Sequence, residues 1–552
     1  MLGRLNRADS EIVGLLRALE GRYIQPGPGP EPIRNPSSVP GGRNLYSLNP
    51  EEIPTRPSWE VAVQLVDELV RTRHPKKVGM DLNGMETMRD FGVLEAQILY
   101  LMGVRPVWDR NNLAYDVELI PRAELKRPRV DVFVAMGGMY KENFPTRVAL
   151  LDKAVRLAAA SPEEDNQVRL GSARVRDRLV AGGMPTDRAQ EFSNARIFGT
   201  KPGDLSGSKI LYLVPRSGTW EKEDEVTDVY IDSMSFVYTK GNWGTKVDGL
   251  YEEAIQGTEL LVRVWASNMT SQLSNHHAYE YLGGLSMAVK KLTGHEPDAL
   301  IADVRNPNGA KLRDFQEVLL TSLKSELLNR KWIEGMKSHG YAGAGHAAEL
   351  VKNTFGWSVT RRESITDSTW NDILSVYMDD KYKLGLKEWF DRENPHALAE
   401  IAATMLEAGR TGRWNARPED LARLARTYAE IVAKHGESGG LVSGGNRKLS
   451  EFVHTQLSAP GDLAGAALAA KLAAALEQAA GNPQPKSAKP EATAQATPGK
   501  TETVTGRKLG VESNTISGQT PVAEPPSVYL RSLGGIGLAL FTLGFMRRKG
   551  SL

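Results

Sequence analysis

One short stretch, residues 331–341, holds most of the side chains that acid–base chemistry on a flat, anionic ligand requires. It reads Lys-Trp-Ile-Glu-Gly-Met-Lys-Ser-His-Gly-Tyr. On a helix, Glu334 and Lys337 face the same side because they are three residues apart, and His339 follows near the helix end. The two glycines allow the backbone to turn and to approach a ligand closely. The alternative is a solvated helix pair with the two aromatic residues in the core.

A second cluster of titratable residues contains His276, His277 and Glu280. Adjacent histidines point to different sides of a helix, so a regular helix does not let both bind one ion. His276 and Glu280 are four residues apart and share a helix face, which suits a pair of metal ligands or a proton relay. The sequence offers no third ligand nearby, and the zinc-protease pattern His-Glu-x-x-His is absent. We predict proton handling here, with His276 and His339 as candidate metal ligands.

A third group lies where a predicted strand turns into a helix, in residues 81–90, Asp-Leu-Asn-Gly-Met-Glu-Thr-Met-Arg-Asp. Backbone N–H groups at the start of that helix can hold a ligand carboxylate. Glu86 is a further candidate for acid–base chemistry. Glu95 falls within an apolar helix, where a carboxylate is uncommon unless it is paired or functional. A buried salt bridge is the alternative to a site role for Glu95.

The elements that position these residues alternate between short strands and longer helices from about residue 59 to residue 414, which predicts an α/β fold with open, mostly parallel sheets. In such sheets ligands bind outside the carboxyl ends of the strands. The predicted strands are residues 77–82, 129–136, 209–214, 259–266 and 299–304. The predicted helices are residues 58–71, 92–101, 145–159, 312–328 and 395–408.

Composition narrows the classes of function. With 25% charged residues and a net charge of +2, the chain has no strong basic bias, so we expect no nucleic-acid partner. The absence of cysteine excludes disulfides, thiolate nucleophiles and cysteine-ligated metal sites. The chain also lacks a flanked Gly-x-x-x-x-Gly-Lys-Ser/Thr loop, so we do not expect it to hydrolyse ATP by a P-loop mechanism.

The sequence predicts five segments. Residues 1–57 form an N-terminal segment with a linker rich in proline and glycine, and residues 58–417 form the α/β body. Residues 418–480 are helical with a glycine-rich break. Residues 481–526 contain too few large apolar residues to offset the entropy of ordering, so we expect a disordered linker. Residues 527–552 form the C-terminal segment, which we expect to bind a membrane.

The last segment contains an uninterrupted run of apolar residues and glycine, residues 533–546, closed by Arg547, Arg548 and Lys549. A membrane crossing takes roughly 20 residues, which the run reaches only by including Arg531. We expect membrane association through this single C-terminal helix, and a helix docked on protein is the alternative. The basic end favours a body outside the cytoplasm. We nevertheless expect a cytoplasmic body, because residues 1–7 lack the apolar core of a signal peptide.

These motifs, in this order, resemble one known family. Residues 331–344 are similar to the Lys-Trp-x-Glu-Gly-Met-x-x-His-Gly-Tyr segment of the cobaltochelatase large subunit (CobN) and magnesium-chelatase H subunit family. Residues 279–284 resemble the family's aromatic-x-Tyr/Phe-x-Gly-Gly stretch, although relatives often carry aspartates where this chain has Asn275, His276 and His277. Further similar stretches are residues 81–109, 136–145, 195–203 and 394–397.

The resemblance implies insertion of a divalent metal, cobalt in the first place, into the corrin precursor hydrogenobyrinic acid a,c-diamide during cobalamin biosynthesis. It also implies separate AAA+ partner subunits that hydrolyse ATP. Pyrrole N–H protons must leave the ring, which suits His and Glu, whereas Lys and Arg suit ring carboxylates and aromatic residues suit ring faces. We assign proton handling first to His339 and Glu334, and then to His276, His277, Glu280 and Glu86. We assign ring binding to Lys331, Lys337, Arg105, Trp332 and Tyr341.

The chain departs from the family in length, since the resemblance implies members more than twice as long and matches only their C-terminal part. A His-Gly-x-x-Glu-x-x-Pro-Gly-Lys stretch, whose glutamate the resemblance makes a prime catalytic candidate, is absent. We therefore expect a separate chain to supply the N-terminal half, or a fragment that does not act alone. Two alternatives stay open: a chelatase that inserts magnesium or another metal into a porphyrin, and a membrane-tethered tetrapyrrole-binding protein without turnover.

Overall fold

The computed structural model describes residues 9–27, 36–45, 48–205 and 207–481 of the chain. The chain forms two compact units. The described part of the smaller unit is residues 9–24 and 40–43, and its main element is helix α1, Asp9–Leu19. The hydroxyl of Ser10 donates a hydrogen bond to the carbonyl oxygen of Gly41 over 3.0 Å, which ties the second segment to the helix.

The larger unit, within residues 25–39 and 44–481, contains every described strand. In chain order the strands are β1 Pro26–Gly27, β2 Asn44–Leu45, β3 Lys77–Leu82, β4 Val104–Trp108, β5 Ala114–Leu119, β6 Asp131–Met136, β7 Ile197–Gly199, β8 Phe236–Thr239, β9 Asn242–Lys246, β10 Leu260–Trp265, β11 Asp298–Asp303 and β12 Lys311–Asp314.

An eight-stranded sheet forms the centre of this unit, in the order β12-β11-β10-β3-β6-β7-β8-β9. The five strands from β11 to β7 are parallel to one another, whereas β12, β8 and β9 pair in antiparallel fashion at the two sides. Every residue of β3, β6 and β10 is buried, as expected for parallel strands covered on both faces. The other two sheets are the parallel pair β1–β2 and the antiparallel hairpin β4–β5.

Helices cover the sheet and extend beyond it. In chain order they are α2 Arg56–Arg73, α3 Gly84–Asp90, α4 Val93–Leu101, α5 Arg122–Leu125, α6 Gly138–Asn143, α7 Pro145–Ala160, α8 Gln167–Ala181, α9 Thr186–Phe192, α10 Ile210–Leu213, α11 Glu223–Met234, α12 Leu250–Ile255, α13 His276–Ala278, α14 Gly284–Thr293, α15 Phe315–Ser325, α16 Arg330–Lys337, α17 Gly340–Thr360, α18 Asp367–Tyr377, α19 Leu386–Glu393, α20 Pro395–Arg410, α21 Pro418–His435, α22 Arg447–Leu457 and α23 Leu463–Gly481. A π-helical turn, Tyr279–Gly283, joins α13 to α14.

The predicted α/β class with an open, mostly parallel sheet is confirmed, and four of the five predicted strands correspond to β3, β6, β10 and β11. The prediction of a strand at residues 209–214 is wrong. Lys209 adopts a left-handed conformation with φ 65°, and helix α10 follows it. Short apolar runs of this kind fit a buried helix as well as a strand.

The predicted helix at residues 312–328 is correct only from Phe315 onward. Residues 311–314 instead form the antiparallel strand β12 at one side of the sheet. The carboxylate of Asp314 then accepts hydrogen bonds from the backbone N–H groups of Gln316 and Glu317, over 2.9 and 3.2 Å. This side-chain cap starts the helix three residues later than predicted.

Residues 418–480 form the helices α21, α22 and α23, of which α22 was not predicted, and all three share a hydrophobic core with the helices of the body. Gly481, the first residue of the linker expected at 481–526, ends α23, and the rest of that linker and the expected membrane segment at 527–552 lie outside the described residues. Among the helices that the structure describes, none combines the length and the apolar character that a membrane crossing requires.

A buried group of charges fixes the start of β7 to β6. The guanidinium of Arg196 donates to the carboxylate of Asp131 over 2.8 Å, and both side chains are fully buried. Lys77 also approaches Asp131, at 3.4 Å, but burial lowers the pKa of Lys77 to about 7 even though Asp131 opposes that shift. Arg196 is therefore the principal counter-charge of Asp131.

We predict that Arg196→Met lowers the free energy of unfolding by about 3–5 kcal/mol, because it leaves the buried Asp131 carboxylate without its main partner. The matched control is Arg176→Met, which removes an exposed ion pair with Asp177 and should change stability by less than about 1 kcal/mol. Urea unfolding monitored by tryptophan fluorescence measures both. Equal losses in the two variants would contradict the role given to Arg196.

Candidate functional site

The candidate site lies at the carboxyl ends of the central parallel strands. From β3 the chain continues to β6 on one side of the sheet, and it later returns to place β10 on the other side of β3. The order of the strands therefore reverses between β3 and β10, and ligands of open α/β sheets bind at such a reversal. The turns that follow β3, β6, β7 and β10 all meet at this edge.

Two acidic residues join β3 to β10 at the reversal. Asp81 on β3 forms a fully buried ion pair with Arg263, its direct neighbour on β10. Just beyond the strand, one oxygen of Glu86 accepts from Arg89 over 2.8 Å, and the other accepts from the backbone N–H of Ala266 over 2.9 Å. The predicted site residue Glu86 is thus buried and fully engaged, and it holds the end of β10 beside the end of β3.

His277 and Glu280 form a carboxylate–imidazole pair at the same edge. The Nδ1 of His277 donates to Oε2 of Glu280 over 2.6 Å. The other oxygen of Glu280 accepts from the backbone N–H and the hydroxyl of Ser208, over 2.6 and 3.1 Å, and the carboxylate is fully buried. Because Nδ1 carries the donated proton, Nε2 of His277 is the ring nitrogen able to accept one.

His276 forms a second pair of the same kind, with Glu349 on α17. Its Nδ1 donates to Oε1 of Glu349 over 3.2 Å, which again leaves Nε2 to accept a proton. The rings of His276 and His277 are 4.5 Å apart, centroid to centroid, and each imidazole is about one third to one half exposed. The structure therefore places two imidazoles side by side, each oriented by its own carboxylate.

The predicted pairing of His276 with Glu280 is wrong, since each partners a different residue. That pairing assumed regular helix from residue 276 onward. Instead the α-helical turn ends at Ala278 and widens into the π-helical turn. Such turns are frequent at functional sites. Here the turn leaves Glu280 beside His277 and Ser208.

Tyr281 connects this pair of imidazoles to the glycine turns at the edge. Its ring stacks on His277 with centroids 6.0 Å apart. Its hydroxyl would lie 3.1 Å from a Cβ placed on Gly207, and Oε1 of Glu280 would lie 2.1 Å from the same atom. Gly207, with φ +82°, is therefore a position where a side chain would displace the buried carboxylate.

Glu349 joins the cluster of His276 and His277 to the stretch 331–341. His346 lies 4.0 Å from the second oxygen of Glu349, and the ring of Trp332 packs on His346 at 5.7 Å. Burial lowers the pKa of His346, and the nearby His339 lowers it further against the opposing charge of Glu349. Trp332 and His339, both predicted site residues, therefore border the group that contains His276.

The carboxyl group of Glu349 is held in its charged form. Burial acts to raise the pKa of Glu349, but the hydrogen bond from His276 and the charge of Lys352, together with the charges of His276 and His346, outweigh burial and lower it. Asp81 shows the opposite balance, since burial raises its pKa despite Arg263, and the charges of Glu280 and Glu86 add to that effect.

Other residues predicted from the stretch 331–341 lie on its outer side. Glu334 is exposed and pairs with Arg330 over 3.0 Å, and Lys337 donates to the carbonyl oxygen of Leu384. Lys331 is exposed, as is Tyr341, whose exposed fraction is 68%. The predicted glycine turn is confirmed by Gly340, which has φ +55°. The joint acid–base role of Glu334 and His339 stays a prediction.

Arg105 lies apart from the other predicted residues, on the hairpin β4–β5. It pairs there with Glu118 and Glu124, over 2.7 Å in each case. Glu95 is buried, and the salt bridge that was the alternative to a site role is absent from the described ion pairs; its carboxylate accepts instead from the hydroxyl of Thr87 over 2.8 Å. Burial raises the pKa of Glu95 although hydrogen bonds oppose that shift.

Sequence reasoning missed Ser208, His346 and Glu349. His346 and Glu349 are three residues apart on one helix, a spacing that places them on one face, and they follow the predicted stretch directly. That spacing was the available signal.

Within the described residues, no group of three or more His, Asp or Glu side chains is arranged to hold a metal ion. A metal site at His276 and His339 stays a prediction.

Comparison with known proteins identifies the relationship. A family model described as CobN/Magnesium Chelatase matches residues 1–421. The chain belongs to this family. It is 31% identical over 425 residues to the aerobic cobaltochelatase subunit CobN of Sinorhizobium sp, an alignment that covers 75% of this chain and 32% of that protein. It is 29% identical over 439 residues to the chloroplastic magnesium-chelatase subunit ChlH of Oryza sativa subsp. indica, covering 77% and 31% of the two chains.

A solved structure shows the same relationship to the CobN/magnesium-chelatase family. The catalytic subunit of cobaltochelatase from Mycobacterium tuberculosis matches with a TM-score of 0.71 and 32% sequence identity, over 76% of this chain and 36% of that chain. The resemblance found in the sequence is thereby confirmed. This chain spans about a third of the length of the curated relatives that it matches.

We predict opposite pH responses for two carboxyl groups near the site. Glu349 has a lowered pKa, so it stabilises the fold above the unfolded pKa of a glutamate, near pH 4.3, and that contribution disappears as the pH falls through its folded pKa. The free energy of unfolding of wild type minus that of Glu349→Gln should therefore be larger at pH 7 than at pH 4.

Glu326 provides the control of opposite sign. Burial raises its pKa against hydrogen bonds from Ser271 and Ser274, so its contribution is present at low pH and is lost as the pH rises through its folded pKa. The difference between wild type and Glu326→Gln should thus shrink from pH 4 to pH 7. Urea unfolding at both pH values tests the pair, and parallel trends in the two variants would refute the assigned environments.

Proposed function

We propose that this chain is the metal-inserting part of a chelatase, and that the two carboxylate-oriented imidazoles of His276 and His277 remove the ring protons. Insertion of a divalent metal into a tetrapyrrole displaces the inner N–H protons of the ring, two from a porphyrin and one from a corrin. The arrangement that supports this proposal is the pair of imidazoles 4.5 Å apart, each with Nδ1 donated to a glutamate and Nε2 able to accept a proton.

The chemistry of each proton transfer follows from the geometry. As the metal dication binds the ring nitrogens, each N–H bond breaks and its proton passes to Nε2 of an imidazole. Glu349 or Glu280 then stabilises each imidazolium ion that forms, since each carboxylate already accepts a hydrogen bond from the other nitrogen of its imidazole. Ser208 keeps the buried Glu280 carboxylate in place through two hydrogen bonds.

We propose cobalt as the substrate metal and hydrogenobyrinic acid a,c-diamide as the ring, with ATP hydrolysed by AAA+ partner subunits. Two observations support a cobaltochelatase: the 31% identity to the Sinorhizobium subunit and the TM-score of 0.71 with the Mycobacterium catalytic subunit. Because this chain spans about a third of such relatives, we also propose that the remaining part of the family fold contributes to the working enzyme.

A magnesium chelatase acting on a porphyrin is the second candidate, and the 29% identity to the rice ChlH subunit favours it. The two candidates use the same imidazoles and differ in ring and metal. A tetrapyrrole-binding protein without turnover is the third reading of the same site, in which the ring binds but no metal is inserted. Membrane association through residues 527–552 stays a prediction.

A spectral titration of the full chain with hydrogenobyrinic acid a,c-diamide and with protoporphyrin tests which ring the site prefers. We expect saturable binding of the first ring, seen as a shift of its absorption bands, with at least about tenfold weaker binding of the second, a free-energy difference of about 1.4 kcal/mol. A preference for protoporphyrin would support the magnesium candidate. Failure of both rings to bind would contradict a ring site on this chain.

Replacing both imidazoles tests the assigned chemistry. In the assembled chelatase with its ATPase partners, His276→Ala/His277→Ala should slow metal insertion by at least about 100-fold, the usual effect of losing general-base catalysis, while ring binding persists. The matched control is His295→Ala, an exposed histidine after α14, which should insert metal at the wild-type rate. Normal insertion by the double variant would refute the proposal.

A further inference from the structure

Three large apolar side chains are exposed at the same edge as the two imidazoles. They are Met139, Leu205 and Met269, with exposed fractions of 42%, 64% and 47%. Each follows the carboxyl end of a different parallel strand: Met139 follows β6, Leu205 follows β7 and Met269 follows β10. Parallel strands end at one edge of a sheet, so these three residues surround the ends of neighbouring strands.

Direct contacts hold the turns that carry these residues together. The ammonium group of Lys141 donates to the carbonyl oxygen of Asp204 over 2.8 Å, and a Cβ on Gly138 would lie 3.2 Å from the Cα of Leu205. The turns of Met139 and Leu205 are therefore in contact. Across β3, the hydrogen bond from Ala266 to Glu86 draws the loop of Met269 to the same side.

The two imidazoles adjoin this surface. Tyr281, which stacks on His277, lies against the turn that carries Met139, since its ring is 3.6 Å from a Cβ placed on Gly137. An apolar surface beside two proton acceptors suits a ligand that is flat and apolar on its face and carries N–H groups at its centre. Methionine fits such a ligand well, because its flexible thioether packs favourably on aromatic systems.

The cleft of about 260 Å³ elsewhere in the larger unit is a different kind of site. It is lined by charged residues of α19 and α21, including Asp391, which pairs with Lys434 and His435. It contains none of the predicted ring-binding or proton-handling residues. A conjugated ring is planar, so an open surface at the sheet edge is the better match in shape.

We propose that Met139, Leu205 and Met269 form the surface on which one face of a planar, conjugated macrocycle rests, with its N–H groups toward His276 and His277. This inference rests on the proposed function, because it locates the ring of that reaction. It adds residues that neither motif spacing nor the family relationship assigns. The polar carboxylates of the ring then extend beyond the apolar surface into solvent.

The triple variant Met139→Gln/Leu205→Gln/Met269→Gln tests the surface in the full chain. Titration with the ring that wild type prefers, of the two used above, should give a Kd increased by about tenfold or more, since apolar burial by three side chains is lost. The matched control is Leu170→Gln on α8, which has an exposed fraction of 47% and should leave the Kd unchanged.

Methionine oxidation gives a second readout that does not depend on a variant. Dilute hydrogen peroxide converts exposed methionine to its sulfoxide, and mass spectrometry follows each site. Bound ring should slow oxidation of Met139 and Met269 but not of the partly buried Met184 after α8. If wild type binds the ring, but the triple variant binds it with the same Kd and the ring does not slow oxidation of Met139 and Met269, this surface alone is overturned. Absence of ring binding by wild type would overturn the proposed function together with it.

Discussion

The fully buried carboxylate of Glu280 is the constraint on which the site depends. A buried carboxylate without partners is strongly destabilising, so the surrounding chain must satisfy both of its oxygens. Ser208 supplies two hydrogen bonds from the segment after β7, and His277 supplies the third from the π-helical turn. Those bonds fix two segments that are 72 residues apart in the chain, and they fix one tautomer of His277. The contacts that satisfy the buried charge of Glu280 therefore also orient His277 as a base.

Helix α17 extends this constraint to the second imidazole. Its residues Asn353 and Trp357 donate to the carbonyl oxygens of Leu273 and Gln272, each over 3.0 Å, and so hold the loop that leads from β10 to the histidines. One turn earlier, Glu349 receives the hydrogen bond of His276. Helix α17 thus both carries one carboxylate of the site and anchors the loop of both histidines. The exposed apolar surface at the strand ends complements it, because proton acceptors act on a ring only when the ring is held beside them.

The parts of the fold that the sequence predicts well are those set by local pattern. The mainly apolar runs of β3, β6 and β10 identify strands, and the glycine after His339 correctly predicts the turn between α16 and α17. Spacing also finds both histidine clusters. It does not find how they are joined, because Glu349 is 73 residues from His276 and no local period connects them. The π-helical turn is likewise set by packing between segments, which is why regular helix spacing assigns Glu280 to the wrong histidine.

The most direct test of the account is a structure of the full chain bound to the ring that it prefers. We expect density for a planar macrocycle over the carboxyl ends of β10, β3, β6 and β7, with its central nitrogens within hydrogen-bonding distance of Nε2 of His276 or His277. One face of the ring should contact Met139, Leu205 and Met269. Density for the ring in the charged cleft beside Asp391, or against the hairpin that carries Arg105, would contradict the account.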